Sequence, residues 1–211
     1  SPCYDMNEHN NIHSEAASME DKKIEIYTAG KELFATKGFK DTNVADITKS
    51  AGVAVGTFYN YYPSKEKLFM EIYIDENARH KRRLLEGIDV DGEPLAVIKE
   101  VTALNIQGMQ ANPILRQWFD PHVAGKLERL FREENGVDTV DFFYDIFLEL
   151  VRKWQAEGKM RSDIDSEMIM MIFAAIINID LHKEEIGVQY FPELLEYMMD
   201  FVMKGLTEGP R

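Results

Sequence analysis

The sequence predicts an all-α fold, because apolar residues recur at intervals of three and four along most of the chain. Glycine and proline residues separate these periodic segments, and no stretch alternates apolar and polar residues as a strand does. Near the N-terminus, one tight glycine turn joins two short helical segments, which is the pattern of a helix-turn-helix. These observations predict an N-terminal three-helix domain containing the helix-turn-helix, followed by a larger helical domain.

The first helix is predicted over residues 21–37, with Gly38 as its C-cap. Its core-facing stripe comprises Ile26, Ala29, Leu33 and Phe34. Residues 1–19 are polar and lack periodicity, which predicts a disordered tail or a cloning remnant. Residues 20–66 are therefore the predicted helix-turn-helix domain.

The helix-turn-helix itself begins with a face formed by Val44, Ile47 and Ala51, with Thr42 expected as the N-cap. Gly52 is expected to turn the chain at positive φ, and the second helix is predicted over residues 54–61. This second helix and the residues just beyond it are rich in side chains that can contact phosphates and base edges. They are Thr57, Tyr59, Asn60, Tyr61 and Lys65.

Residues 42–68 follow the pattern T-x-V-x-D-I-x-x-x-A-G-V-x-x-G-T-F-Y-x-Y-Y-x-S-K-E-x-L. This pattern resembles the N-terminal DNA-binding domain of the TetR family of transcriptional regulators, and the resemblance extends upstream to Ile26. The resemblance implies binding to double-stranded operator DNA, a small-molecule effector pocket in the C-terminal domain, and homodimerisation through the last two helices.

The resemblance also implies particular DNA contacts. Thr57 and Tyr59 match positions that meet the backbone or the bases, and Tyr61 and Lys65 match phosphate-contacting positions. Thr42 matches the position where the first N–H groups of a helix face a phosphate.

Four neighbouring positions complete the predicted DNA-contacting surface. Gly56 allows close approach to DNA, and Asn60 can reach a base edge, adenine by preference. Ala54 and Val55 depart from the hydroxyl and polar residues of many relatives and suit contact with thymine methyl groups. Phe58 and Tyr62 are interpreted as core residues.

Beyond Pro63, Ser64 is expected to cap a long helix, of which residues 67–86 connect the two domains. The basic run at residues 79–83 is interpreted as a solvated helix face. The acidic, turn-rich residues 87–94 mark the boundary, so residues 87–211 form the C-terminal domain. Its helices are predicted over Pro94–Ala111 and residues 122–134, 138–156, 166–184 and from 192 onward.

The predicted helix over residues 166–184 is apolar nearly all round, which predicts burial on several sides. Met198, Met199, Phe201 and Met203 are spread around the last helix. This apolar character predicts that the two helices of each protomer pack against those of a second copy in a four-helix homodimer interface. A dimer of this kind would let the two helix-turn-helix motifs read two half-sites about 34 Å apart. The alternative is that both are central helices of a monomer.

The predicted ligand-binding residues mix large apolar groups with a few polar ones, as small-molecule sites do. They are Gln107, Trp118, Phe119, His122, Phe143, Phe147, Met171 and Asn178. The alternative is that each aromatic residue is ordinary core and each polar group is hydrogen-bonded locally.

Composition limits the other classes of function. The net charge is −13, yet residues 21–71 hold eight lysines against seven acids, so the proposed DNA-binding part is the least acidic. No GxSxG, P-loop, GxGxxG or HExxH motif is present, so neither an enzyme nor a cofactor is predicted. The single cysteine, Cys3, and the absence of a long apolar run fit a cytoplasmic protein without a membrane partner. No metal site is predicted.

The predicted function is that of a ligand-responsive repressor that releases an inverted-repeat operator when a small molecule binds the C-terminal domain. The alternatives are a transcriptional activator or a ligand-independent DNA-binding protein. A helical protein-interaction module is an alternative of a different class, but it leaves the polar cluster at residues 57–65 unexplained.

Overall fold

The computed structural model describes residues 6–120, 122–133, 141–180, 182–191 and 193–208, with side chains from Glu20 onward except at 132, 133 and 141–143. Within these ranges the regular structure is helical throughout, which confirms the predicted fold class. The helices are α1 (Met6–Asp41), α2 (Val44–Ala51), α3 (Val55–Tyr59), α4 (Lys65–Glu86), α5 (Pro94–Ala111), α6 (Ala124–Glu133), α7 (Asp141–Ala156), α8 (Ser166–Asp180), α9 (Lys183–Ile186) and α10 (Glu193–Thr207). Single 3-10 segments cover Leu115–Phe119 and Val188–Tyr190.

Helix α1 begins at Met6, well before the predicted start at residue 21. The prediction of a disordered tail is therefore wrong for residues 6–19, whereas residues 1–5 lie outside the described residues. The sequence permits this extension, because it contains good helix formers and has no glycine or proline between Met6 and Ala29. At the other end, Gly38 leaves the helical region with φ 83° and interrupts α1 where a C-cap was predicted.

The N-terminal compact unit, residues 1–73, is built on an aromatic core. The Phe34 and Phe69 rings meet edge to face with centroids 5.1 Å apart, and Phe39 lies 4.9 Å from Phe69. Gly30 permits a close approach of α1 to α4, since an added Cβ atom would lie 2.6 Å from Leu68 Cδ2. These contacts bring α4 against α1 and leave α2 and α3 to carry the outer surface of the motif.

The C-terminal compact unit, residues 74–211, has its core between α5, α7, α8 and α10. Trp154 and Val151 of α7, Ile169 of α8 and Met203 of α10 are fully buried there. The division between the two units falls inside α4, within the predicted connecting helix.

Two connections in the C-terminal unit differ from the sequence prediction. Helix α6 begins at Ala124 instead of residue 122, and the Asp120 carbonyl before it accepts the N–H groups of Val123 and Ala124. The helix predicted over residues 166–184 ends at Asp180, and α9 follows as a separate turn. The predicted start of α7 at residue 138 lies outside the described residues.

The basic run at residues 79–83 is only partly solvated. Arg79, Arg82 and Arg83 are exposed, as predicted. His80 instead packs on Gly108 of α5, and its Nε2 lies 3.1 Å from the Asn105 carbonyl oxygen. Burial lowers the pKa of Lys81. The run therefore helps to attach this part of α4 to α5.

Candidate nucleic-acid interface

Helix α2 is capped by Asn43, whose Oδ1 accepts the backbone N–H of Asp46 at 2.8 Å. The prediction that Thr42 is the N-cap is wrong. The Thr42 side chain is 1% exposed, and its Oγ1 donates instead to the Gly38 carbonyl at 2.8 Å. At the other end, Gly52 adopts φ 68° as predicted, which turns the chain toward α3. The capping oxygen therefore comes from the residue directly after Thr42.

Helix α3 and the residues that flank it are divided between the core and the solvent. Phe58 and Tyr62 are buried, which confirms that they are core residues. Most of the predicted DNA-contacting residues of this region are exposed: Ala54, Val55, Gly56, Tyr59 and Asn60. Thr57 and Tyr61 are half-buried at the edge. No atom lies within 4 Å of a Cβ built on Gly56, so this surface is open to an approaching backbone.

Tyr62 is held by contacts to both long helices of the unit. Its hydroxyl donates to Glu71 Oε1 at 3.4 Å, and Lys23 Nζ lies 5.6 Å from its ring centroid. Lys23 also forms an ion pair with Glu71 at 3.0 Å. The segment after α3 is thus tied to α1 and α4, which fixes α3 on the surface of the unit.

Lys65, predicted to contact phosphate, has a different environment in the structure. Its ammonium donates to the carbonyl oxygens of Thr42 at 2.7 Å, Phe39 at 2.9 Å and Lys40 at 3.4 Å. A lysine ammonium has three N–H donors. These three bonds engage the ammonium with backbone carbonyls of its own unit.

The predicted ligand-binding residues do not form one enclosed group. Gln107, Phe119, His122, Met171 and Asn178 are exposed. Trp118 is buried and donates from Nε1 to Asp180 Oδ2 at 2.8 Å, and Phe147 packs against the C-terminal core. The Phe143 side chain lies outside the described side chains.

The structure reveals a buried ionic cluster that the sequence analysis missed, formed by Glu128 of α6, Lys183 of α9, Asp180 and Trp118. Lys183 Nζ lies 3.1 Å from Glu128 Oε1, 3.6 Å from Asp180 Oδ2 and 4.7 Å from the centroid of the Trp118 ring. Burial raises the pKa of Glu128, and the neighbouring Lys183 opposes that shift. Charged residues at helix ends usually face solvent, so periodicity gave no signal for these two.

Among the described residues, no helix combines the length and the apolar character needed to cross a bilayer. The described His, Cys, Asp and Glu side chains also include no group of three or more placed to hold a metal ion. What the N-terminal unit offers is a surface for a macromolecule: two short helices joined by a left-handed glycine, with hydrogen-bonding and apolar side chains exposed on the second. A helix-turn-helix of this kind, followed by a helical C-terminal unit, defines a DNA-binding regulator.

Comparison with known proteins agrees with this class. Residues 26–72 match the family described as bacterial regulatory proteins, tetR family. The chain is 34% identical to the uncharacterized HTH-type transcriptional regulator YerO of Bacillus subtilis (strain 168), with 90% of this chain and 68% of YerO covered. The chain therefore belongs to the tetR family of bacterial regulatory proteins and is a DNA-binding transcriptional regulator.

Two solved structures show the same fold. FadR from Thermus thermophilus, a TetR-family transcriptional repressor in complex with lauroyl-CoA, is 23% identical, with 89% of this chain and 94% of that chain covered and a TM-score of 0.53. RolR in complex with resorcinol is 14% identical, with 90% of each chain covered and a TM-score of 0.63.

Proposed function

We propose that the protein is a repressor that binds an inverted-repeat operator as a homodimer and releases it when a small molecule binds the C-terminal unit. The observation that carries this proposal is the division of α3 and the residues directly after it: Phe58 and Tyr62 are buried, while Tyr59 and Asn60 face solvent. A packed helix with exposed hydrogen-bonding groups suits insertion into the major groove. A regulator with this target acts on the chromosome, so we place it in the cytoplasm.

The exposed residues of α3 suit two kinds of DNA contact. Val55 and Tyr59 are 48% and 55% exposed, and Ala54 adds a methyl group next to Val55. The small apolar groups suit thymine methyls, and the Asn60 amide suits an adenine edge. Thr57 and Tyr61 lie at the rim of this surface, where hydroxyl groups can donate to phosphate oxygens. We assign base contacts to the first group and phosphate contacts to the second.

The first turn of α2 supplies a further phosphate contact in this proposal. The N–H groups at the start of a helix lack intrahelical acceptors and carry partial positive charge. Asn43 begins this turn, and the buried Thr42 side chain anchors the residue before it through its hydrogen bond to Gly38. We therefore assign the phosphate contact predicted at Thr42 to the backbone N–H groups that follow it.

The homodimer is supported by apolar side chains left exposed on α8 and α10. Met168 and Met171 of α8 and Tyr197 and Phe201 of α10 are all exposed, and the last two rings stack with centroids 6.3 Å apart. A large exposed apolar surface marks an interaction site. A second copy of this chain is the occupant we propose, because a two-fold interface made by one helix pair from each protomer gives a four-helix bundle.

An effector site within the C-terminal unit is supported by the two ligand complexes of similar fold. Of the predicted residues whose side chains the structure describes, Trp118 and Phe147 are those that face the interior of the unit. We propose these two as lining residues. The five exposed residues of the predicted set are better placed for contacts at the surface.

The proposal is tested by selecting fragments of the source genome that bind the protein and sequencing them. We expect an enriched inverted repeat whose half-sites are about 10 base pairs apart. Tyr59→Ala, as a folded control, should lose the enrichment. Absence of any enriched repeat from a folded wild-type dimer would contradict operator binding, and the genes beside the enriched sites would indicate the chemical class of the effector.

Substitutions in α3 should separate affinity from specificity. Asn60→Ala and Val55→Ala are expected to relax the preference at one or two base pairs, each by about 1–3 kcal/mol of discrimination. Tyr61→Phe, which removes only a hydroxyl group at the rim, should weaken binding to all sequences alike. Quantitative binding to a panel of single-base variants of the selected repeat measures both effects. Equal losses on every sequence in all three variants would contradict the assignment of base contacts.

A further inference from the structure

We propose that Lys65 is a positioning residue for DNA recognition, acting through the start of α2 without contacting phosphate itself. It does so by binding the backbone carbonyls of Phe39, Lys40 and Thr42, an arrangement that we call the Lys65 clasp. The inference rests on the proposed use of α2 and α3 as the DNA-binding surface. It assigns to Lys65 a role in positioning α2, in place of the phosphate contact that the sequence suggests.

The clasp lies where α1 ends and α2 has not yet begun. Gly38 interrupts α1 at φ 83°, and the last turn, ending at Asp41, leaves carbonyl groups without helical partners. Lys65, the first residue of α4, brings its ammonium to two of these oxygens, those of Phe39 and Lys40, and to the carbonyl oxygen of Thr42 directly after α1. The side chain also passes over the Phe39 ring, with Nζ 4.7 Å from the centroid. A cation at this place also complements the negative end of the α1 dipole.

The link between α1 and α2 contains only Thr42 and Asn43, and both are fixed. The Thr42 carbonyl accepts the shortest bond of the clasp, while its side chain donates to Gly38. Asn43, directly after it, caps α2 through the Asp46 N–H. Because the clasp, the link and the cap are consecutive, the direction in which α2 leaves α1 depends on Lys65. Because the turn at Gly52 joins α2 to α3, the orientation of α2 also sets that of α3.

The competing role is direct phosphate contact, and it predicts different behaviour. A lysine that neutralises one phosphate contributes about 0.9 to the slope of log affinity against log salt concentration. An arginine in its place would keep that contact, since guanidinium binds phosphate well. In the clasp, by contrast, the planar guanidinium cannot direct its N–H groups to three carbonyls that converge on one atom. Arginine therefore separates the two roles.

The experiment compares wild type, Lys65→Arg, Lys65→Met and the control Lys22→Met. Methionine keeps an unbranched apolar stem over Phe39, and Lys22 is an exposed lysine of the same unit, so its variant controls for the loss of one positive charge. Affinity for the fragment selected with the wild-type protein is measured across a salt series. Each measurement is made at a temperature where circular dichroism shows that the variant is fully folded.

We expect Lys65→Arg and Lys65→Met each to weaken binding about tenfold at every salt concentration, with parallel slopes and lowered melting temperatures. Lys22→Met should behave as wild type. Wild-type affinity in Lys65→Arg, together with a slope reduced by about 0.9 in Lys65→Met, would overturn the clasp in favour of phosphate contact. Lowered melting temperatures with unchanged affinity would also overturn it, since the role would then be stability alone.

The two variants also protect the test from a folding failure. If Lys65→Met does not fold, Lys65→Arg still keeps the charge and most of the stem. A tenfold loss of its affinity then supports the clasp, and wild-type affinity supports phosphate contact. Binding of the selected fragment by wild type is measured first. A failure there counts against the proposed interface, whereas the clasp is judged from the variants relative to wild type.

Discussion

Phe201→Glu is expected to convert the protein to a monomer and to weaken binding to an inverted repeat by roughly 10²–10⁴-fold. Phe201 is 67% exposed on α10, beside Tyr197, within the surface that we assign to a second copy. A carboxylate there would have to be buried against apolar side chains on association, which is unfavourable without a partner. Each monomer would then bind one half-site alone and lose the gain from simultaneous attachment.

Sedimentation velocity measures the oligomeric state, and titration of the selected repeat measures the affinity. Ile24→Glu provides a control, because Ile24 is another exposed apolar residue (57%), on α1 in the N-terminal unit. A Phe201→Glu protein that remains dimeric would place the interface elsewhere. Loss of the dimer with unchanged operator affinity would instead contradict the need for two half-sites.

Lys183→Met is expected to lower the free energy of unfolding of the C-terminal unit by about 3–5 kcal/mol at neutral pH. The substitution leaves the Glu128 carboxylate buried, with Asp180 as an acidic neighbour and no cation at 3.1 Å. Urea denaturation measures the effect. The double variant Lys183→Met/Glu128→Gln, which has no buried charge at this pair, should recover a large part of the loss.

The deficit should depend on pH in a defined direction. Burial raises the pKa of Glu128 in the folded protein above its unfolded value, so folding takes up a proton in the interval between them. Stability from this group is therefore greatest below the unfolded pKa and falls as pH rises through the folded one. Without Lys183 the folded pKa rises further, so the difference between Lys183→Met and wild type should grow with pH. A difference independent of pH would contradict the role of Glu128.

The sequence predicted the elements whose signals are local. Pro94–Ala111 was predicted with the observed bounds, because proline residues mark its ends. For α2, the apolar face and the end at Gly52 were predicted, whereas the N-cap was placed one residue too early. Phe58 and Tyr62 were also identified as core residues. The solvent-facing residues of α3 were recognised because hydrogen-bonding side chains are crowded into a short helix that does not need them for packing.

The sequence analysis missed contacts between residues distant in sequence. Lys65 was assigned to phosphate because nothing local shows that Phe39 and Thr42 place carbonyl oxygens around its ammonium. Lys183 was expected at the end of a longer helix, yet it is buried in an ion pair with Glu128, which is distant in the sequence. The predicted ligand-binding set stays a prediction. Large or polar character identified its members, whereas the rotation of each helix, which places Gln107 and Asn178 outward, has no local signal.

Helix α3 has only five residues, and no side chain caps its N-terminus. A helix of this length is not stable by itself in water, because nucleation costs more than so few hydrogen bonds return. Its order comes from Phe58, buried beneath it, and Tyr62, tied to Glu71 just beyond it. The conformational entropy of Tyr59 and Asn60 is therefore reduced when the protein folds, before DNA is met. Association with an operator then requires little further ordering of the backbone that carries the contacting side chains.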